Sequence, residues 1–141
     1  MRIIKLGTGE FETFDEVEDY FYVTLLTEER NPKGKFRLPN GNLISENGLS
    51  IGERILFSYN KVVCFTAVAK TGRLDNNDKY AGKYPYYFVI DMPSVQPANI
   101  SLEKVEDSLR DVLDGKSIVS ARSWIKISDS STDEFWESIR K

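Results

Sequence analysis

Histidine is absent from this chain of 141 residues, and cysteine occurs only once, at Cys64. Without histidine the chain lacks the most common general base, the relay residue of hydrolytic triads and the main ligand of most zinc sites. Cys64 stands between Val63 and Phe65 in an apolar segment, where a thiol usually acts as a small buried hydrophobe. Any catalysis would therefore depend on carboxylates, lysines or tyrosines alone.

Long apolar runs are also missing. No stretch approaches the roughly 20 residues that a membrane-spanning helix requires, and residues 1–5 are too short for a signal peptide. We therefore expect a cytoplasmic protein without a membrane partner. A composition of 40% hydrophobic, 29% charged and 12% aromatic residues is ordinary for a globular protein. The length predicts one domain over residues 1–141, either a whole protein or the recognition module of a larger one, with no cofactor or metal.

Positive charge is scarce overall but concentrated in the middle of the chain. The net charge is −3. Residues 30–83 contain ten lysines and arginines against four acids, whereas the remainder contains nine against eighteen. A basic face on an acidic body suits a protein that binds nucleic acid at one place, although an ordinary solvated surface would give the same count.

The first third of the chain predicts little regular structure. Thr13 and Glu16 have the spacing of a capping box, which predicts a short helix to Tyr20. Residues 21–27 are β-branched and aromatic, which predicts a strand. Residues 28–48 are rich in glycine, proline and asparagine and predict a long loop with at most one helical turn.

The middle of the chain predicts a hairpin. Residues 54–70 are typical of two strands that meet at a polar turn at Asn60 and Lys61. A second long loop, over residues 72–85, precedes a third strand in residues 86–93.

The last third predicts two helices. Ser101 is the expected N-cap of an amphipathic helix that ends before Gly115. Residues 124–127 alternate as a short strand. Ser131 and Glu134 predict a second capping box, which opens a final helix with Trp136 on its buried side.

The order of these segments resembles the YTH and EVE branch of the PUA-like superfamily. The resemblance lies in residues 56–60 (Leu-Phe-Ser-Tyr-Asn), 64–69 (Cys-Phe-Thr-Ala-Val-Ala), 87–93 (Tyr-Phe-Val-Ile-Asp-Met-Pro) and 100–103 (Ile-Ser-Leu-Glu). It implies an α+β fold, a curved five- or six-stranded β-barrel flanked by helices. It also implies the reading of modified or flipped bases, since YTH domains hold N6-methyladenine in an aromatic cage and EVE-like domains occur as specificity modules of modification-dependent restriction systems.

The chain departs from the YTH pattern in its tryptophans. Trp124 and Trp136 lie outside the two loops that supply the tryptophans of that cage. A cage here would use other aromatic residues, such as Phe36, Tyr80 or Tyr84. Aromatic stacking contributes ~1–3 kcal/mol per base, which offsets the few kcal/mol needed to flip a base out of a duplex.

The candidate site residues follow from this reasoning. The expected base pocket consists of Phe36, Ser58, Tyr59, Asn60, Tyr80, Tyr84 and Trp124. The expected phosphate contacts are Arg30, Lys33, Lys35, Arg37, Lys61, Arg73, Lys79, Lys83 and Arg122. Several have structural alternatives: Tyr59 and Trp124 are as compatible with core packing, and Asn60 with turn chemistry.

We therefore predict a non-catalytic reader that flips a methylated base, in DNA more than in RNA, into an aromatic pocket. A nuclease or motor, fused or associated, would do any cutting. Acid pairs such as Asp75 with Asp78 and Asp129 with Asp133 lie in loops and are typical of solvated turns rather than of a metal site. The alternatives are an RNA-binding PUA-like module, or a barrel for a small ligand or protein partner, whose binding would be insensitive to salt.

Overall fold

A computed structural model describes residues 1–121 and 124–140. This part of the chain contains seven strands in two sheets, and helices that flank them. The strands are β1 Arg2–Leu6, β2 Lys35–Leu38, β3 Arg54–Tyr59, β4 Val62–Val68, β5 Leu74–Asp75, β6 Tyr86–Val89 and β7 Gln96–Ser101. The α-helices are α1 Phe14–Tyr22, α2 Leu102–Ser108, α3 Arg110–Leu113 and α4 Asp133–Ile139. None of them is long and apolar enough to cross a bilayer.

The larger sheet has the strand order β1-β3-β4-β7 and is built around the predicted hairpin. β3 and β4 pair antiparallel, and β1 runs parallel to β3. Asn60 and Lys61 join the two hairpin strands with φ values of 51° and 66°. Two successive left-handed residues are the conformation of a tight hairpin turn, so the prediction for this segment is confirmed.

The smaller sheet has the order β2-β6-β5, and an isolated bridge between Ala69 and Ile90 connects it to the end of β4. Both β2 and β5 lie in segments predicted to be loops, so those predictions were wrong. β2 has only four residues between Gly34 and Pro39, too few to give a clear alternating pattern. The described residues thus form seven strands in two sheets, whereas five or six strands were expected.

Helix α1 begins at the predicted capping box. The Thr13 hydroxyl accepts from the Glu16 N–H at 3.3 Å, and the Glu16 carboxylate accepts from the Thr13 N–H at 3.1 Å. The helix continues to Tyr22 and is followed by a 3-10 turn over Thr24–Leu26, so the predicted strand in residues 21–27 was wrong. Phe21 and Leu25, four residues apart, are both fully buried. Burial at this helical spacing overrides the β-propensity of the individual residues.

The C-terminal third follows the prediction in part. The Ser101 hydroxyl accepts from the Lys104 N–H at 3.2 Å and caps α2, and Gly115 has a φ of 81°. The single helix predicted between these two residues is divided at Leu109 into α2 and α3. The predicted strand in residues 124–127 was wrong, because these residues form a single bridge, between Lys126 and Arg2.

The second capping box was also wrong. The N-cap of α4 is Thr132, and its hydroxyl donates to the carbonyls of Ser128 and Asp129 rather than accepting from the helix. Helix α4 does bury Trp136, as predicted.

The larger sheet separates two hydrophobic cores. The first contains Phe21, Phe36 and Phe57 and packs against α1 and the smaller sheet. The second contains Leu56 and Trp136 and packs against α2, α3 and α4. Neighbouring β3 residues enter opposite cores because side chains alternate along a strand.

Candidate nucleic-acid interface

Aromatic side chains converge on a small cavity beside α1, β2 and the loop before β6. We call it the aromatic cavity, and its volume is about 100 Å³. It is lined by Phe11, Tyr20, Phe36 and Tyr84, with Glu10, Arg30 and Arg37 at its edges. Four of these residues, Phe36, Tyr84, Arg30 and Arg37, were predicted site residues, and the structure brings them together.

Edge-to-face contacts fix the aromatic walls. The ring centroids of Phe11 and Tyr20 lie 5.3 Å apart at 75°, and those of Tyr20 and Phe36 lie 6.1 Å apart at 90°. The Tyr59 hydroxyl donates to the Phe11 carbonyl at 2.7 Å and holds the loop that follows β1. Edge-to-face pairs are an arrangement that aromatic rings prefer, so these contacts hold the walls in place.

Tyr20 and Arg30 set the polarity of the cavity. Burial raises the pKa of Tyr20 to about 12, although the nearby Arg30 guanidinium partly offsets the effect, so the hydroxyl stays protonated at neutral pH. The guanidinium lies 5.4 Å from the Tyr20 ring centroid and donates through Nη1 to the Lys35 carbonyl at 2.8 Å. Its Nε is buried and has no acceptor among the described residues. A buried donor without a partner is uncommon in folded proteins, so Arg30 retains hydrogen-bonding capacity at the cavity wall.

Asp78 binds two of the predicted phosphate contacts. Its Oδ2 lies 3.0 Å from the Lys35 Nζ and 2.9 Å from the Arg37 Nη2. Its Oδ1 accepts from the Tyr80 N–H at 2.8 Å and from the Asn76 amide at 3.1 Å. Burial disfavours the charged carboxylate, but the hydrogen bonds from Lys35, the Tyr80 N–H and Arg37 outweigh it and lower the pKa of Asp78.

This ion-pair cluster changes the expected role of Lys35 and Arg37. Lys35 is 4% exposed, and its ammonium also lies 4.3 Å from the Tyr87 ring centroid. Lys35 is thus enclosed by protein and paired with Asp78 in this structure. Arg37 extends to the cavity edge but shares its guanidinium with Asp78 and with Glu29, 3.6 Å away.

Three cations stand beside tyrosines of the loop before β6. The Arg37 guanidinium lies 4.6 Å from the ring centroid of Tyr80, and Lys79 lies 5.2 Å from the same ring. Lys83 lies 5.3 Å from the ring centroid of Tyr84. Lys79 and Lys83 are exposed and Tyr80 is 38% exposed. We call Lys79 and Lys83 the basic rim, because they supply positive charge next to the aromatic cavity.

The other predicted pocket residues do not line the aromatic cavity. Ser58 is buried in β3, and Tyr59 and Asn60 line a separate cavity of about 580 Å³ with Phe14. Trp124 lies behind the cavity wall, with its ring centroid 6.3 Å from that of Phe36.

The remaining predicted phosphate contacts are spread over the surface. Arg73 lies over the ring of Tyr86 at 4.0 Å and donates to the Ile44 carbonyl at 3.1 Å. Lys61 is exposed in the hairpin turn, and Lys33 lines a different groove. Arg122 lies outside the described residues.

Phe11 and Tyr20 were not among the predicted site residues. Tyr20 was placed at the end of a shorter helix, with a strand directly after it, so its position beside β2 was not evident. The extension of α1 beyond Tyr20, in place of that strand, brings Tyr20 against Phe36. No sequence pattern points to Phe11. Its position beside the cavity is set by a turn in which its backbone N–H donates to the Gly7 carbonyl at 3.1 Å.

No family model and no curated protein matches this chain. Among solved structures, the chain is similar to the YTH domain of the Zygosaccharomyces rouxii MRB1 protein, solved in complex with N6-methyladenosine RNA. The TM-score is 0.55 at 15% sequence identity, over 99% of this chain and 85% of that chain. The fold is YTH-like. At this identity the likeness concerns the fold alone, and the mixed α+β architecture agrees with the fold class predicted from the sequence.

The YTH-like fold contains no cluster of metal ligands in the part that the structure describes. No three His, Cys, Asp or Glu side chains within residues 1–121 and 124–140 are placed to hold an ion. Asp78, one member of the acid pairs seen in the sequence, is occupied by Lys35 and Arg37 instead.

Proposed function

We propose that this protein binds nucleic acid without catalysis and reads a methylated base held in the aromatic cavity. The observation that supports this is the convergence of Phe11, Tyr20, Phe36 and Tyr84, next to exposed lysines, in a YTH-like fold. Stacking on such rings stabilises a base by ~1–3 kcal/mol, and a methyl group favours an apolar enclosure because it needs no hydrogen-bond partner.

The proposal includes an opening of the cavity. Its volume of about 100 Å³ lies below the ~300–1,000 Å³ that is usual for small-molecule sites. Tyr84 lies in the loop between β5 and β6. The Tyr84 N–H donates to the Tyr80 carbonyl, and the Tyr84 carbonyl accepts from Asn76. Asp78 also ties this loop to Lys35 and Arg37, so the Tyr84 side chain, rather than the loop as a whole, would move to admit a base.

The nucleic acid in this proposal is either DNA or RNA, and the two are separated by experiment. From the sequence we predicted DNA more than RNA, in a restriction context, with a fused or associated nuclease or motor. Nothing in the described structure favours DNA, and the ligand of the solved YTH domain is methylated RNA. We further propose that the chain is related to EVE domains, that its two sheets close into a PUA-like barrel, and that the protein is cytoplasmic.

A small-ligand function is the alternative. It is favoured by the cavity of about 580 Å³ beside Tyr59 and Asn60, which falls within the usual size range for small molecules. Binding there would be insensitive to salt, since no lysine or arginine among the described residues lines that cavity.

Fluorescence polarisation tests the proposal. The probes are matched DNA and RNA strands with adenine or N6-methyladenine and cytosine or 5-methylcytosine, at two salt concentrations. We expect at least a tenfold preference, about 1.4 kcal/mol, for one modified base. Tyr84→Ala should remove the preference, whereas Phe14→Ala, a half-exposed aromatic at the other cavity, should retain it. No binding of any strand at low salt would contradict the proposal.

A further inference from the structure

A second groove shares helix α1 with the aromatic cavity. Its volume is about 480 Å³, within the usual range for ligand sites. Tyr20 lines the aromatic cavity, while the next two residues, Phe21 and Tyr22, line the groove. Phe21 and Ile90 are buried and contribute apolar surface to it. Lys33 and Lys70 add positive charge, so we call it the lysine groove.

Backbone contacts around Ile90 place both lysines. The Ile90 N–H donates to the Gly34 carbonyl at 2.9 Å, and the Gly34 N–H donates to the Leu25 carbonyl at 2.8 Å. Gly34 has a φ of 87°, and a Cβ at this position would collide with the Ile90 carbonyl oxygen. Only glycine therefore allows this close approach. The Lys70 N–H in turn donates to the Val89 carbonyl at 2.8 Å.

The groove combines an exposed aromatic ring with uncommitted positive charge. Tyr22 is 50% exposed, although the edge contact of its ring with Phe65, at 5.4 Å and 79°, fixes its orientation. Lys33 and Lys70 are exposed and have no salt-bridge partner among the described residues. The one acid that lines the groove within the described chain, Asp91, leaves it with a net positive charge.

We propose that the lysine groove binds the nucleotides that flank the modified base, with a flanking base on Tyr22 and phosphates on Lys33 and Lys70. This inference rests on the proposed function and extends it to a second subsite. Aromatic rings beside cations are the usual means of binding single-stranded nucleic acid, because every base has a face that stacks and every nucleotide a phosphate. The ring centroids of Tyr20 and Phe21 are 5.7 Å apart, so the aromatic cavity and the lysine groove are neighbours at the C-terminal end of α1, and a single strand would contact both.

The test compares a free modified nucleotide with the same nucleotide inside a single strand of about nine nucleotides, a typical site size. The variants are Tyr22→Ala and the double variant Lys33→Ala with Lys70→Ala. Both should bind the free nucleotide as the wild type does, and each should weaken binding of the strand about tenfold. The double lysine variant should also reduce the slope of log K against log salt by about 2, because each lysine that neutralises a phosphate accounts for about one unit of slope.

A matched control removes two exposed lysines from the other side of the molecule, Lys104→Ala with Lys116→Ala, and should change neither affinity. Wild-type affinity for the strand in both groove variants, with the modified-base preference intact, would overturn the groove but not the proposed function. A weakened double lysine variant without any modified-base preference in the wild type would support the groove and overturn the reading of modified bases.

Discussion

Asp78 shows how a single side chain organises the surroundings of the aromatic cavity. One carboxylate oxygen holds Lys35 and Arg37 of β2, and the other holds the backbone of the loop that carries Tyr80 and Tyr84. Lys35 is almost fully buried, so the removal of its counter-ion leaves an uncompensated charge inside the protein. Such a change is more destabilising than the removal of a surface ion pair.

We therefore predict that Asp78→Asn lowers the free energy of unfolding by about 1–3 kcal/mol at neutral pH. The comparison is Asp107→Asn, which removes the exposed pair with Arg110 on α2 and α3 and should lower it by no more than ~0.5 kcal/mol. Urea denaturation at pH 7 measures both changes. Equal effects of the two substitutions would show that Asp78 holds nothing in place.

The pH dependence provides a separate check on Asp78. Its pKa is lowered in the folded state, so its stabilising contribution is complete above the unfolded value of about 3.9 and is lost as the pH falls toward the folded value. The difference in unfolding free energy between wild type and Asp78→Asn should thus be constant from pH 7 down to about 5, and should shrink below about pH 4.

At the scale of elements, the hairpin between β3 and β4 is the feature that local sequence determines most closely. Asn60 and Lys61 both have positive φ, which asparagine tolerates and glycine prefers. Lysine at the second position is the less favourable choice, since its Cβ crowds the backbone there.

We predict that Lys61→Gly leaves stability unchanged or raises it by about 0.5 kcal/mol, because relief of the left-handed strain exceeds the entropy cost of glycine. Lys61→Val should lower it by ~1–2 kcal/mol, since a β-branched residue is poorly compatible with this φ. Thermal denaturation of the two variants measures the contrast. Similar melting temperatures for both would mean that the turn does not hold its left-handed conformation.

Elements that depend on residues close in sequence could be predicted, whereas elements that depend on contacts distant in sequence could not. The hairpin, the Thr13 capping box and the Ser101 cap of α2 depend on neighbours in sequence, and all three were predicted. Strand β2 and the end of α1 depend on contacts such as that of Phe36 with Phe88 across the smaller sheet, at 5.2 Å. Half of the aromatic wall was accordingly predicted, through Phe36 and Tyr84, while Phe11 and Tyr20 required the fold.

At the scale of the whole molecule, charge is unevenly placed around the aromatic cavity. An open acidic depression formed by Glu10, Asp15, Glu16 and Asp19 adjoins Phe11 and Tyr20. The basic rim lies beside Tyr80 and Tyr84 instead. An approaching phosphate backbone is repelled on the first side and attracted on the second, so the charge pattern orients a bound strand.

We predict that Lys79→Ala with Lys83→Ala weakens binding of modified and unmodified strands by the same factor. The salt slope should fall by about 2, while the ratio between the two strands stays unchanged. The Lys104 and Lys116 double variant again serves as the control. Titrations at several salt concentrations give both quantities, and a selective loss for the modified strand would place these lysines in base reading rather than in phosphate binding.

The separation of the two cores by the larger sheet has an optical consequence. Each core has one tryptophan: Trp124 packs against the first, next to Phe36, and Trp136 lies in the second near the guanidinium groups of Arg54 and Arg140. Indole emission depends on local polarity and on nearby charges. Trp124 is thus a built-in fluorescent reporter of events at the cavity wall, and Trp136 is an internal reference on the far side of the sheet.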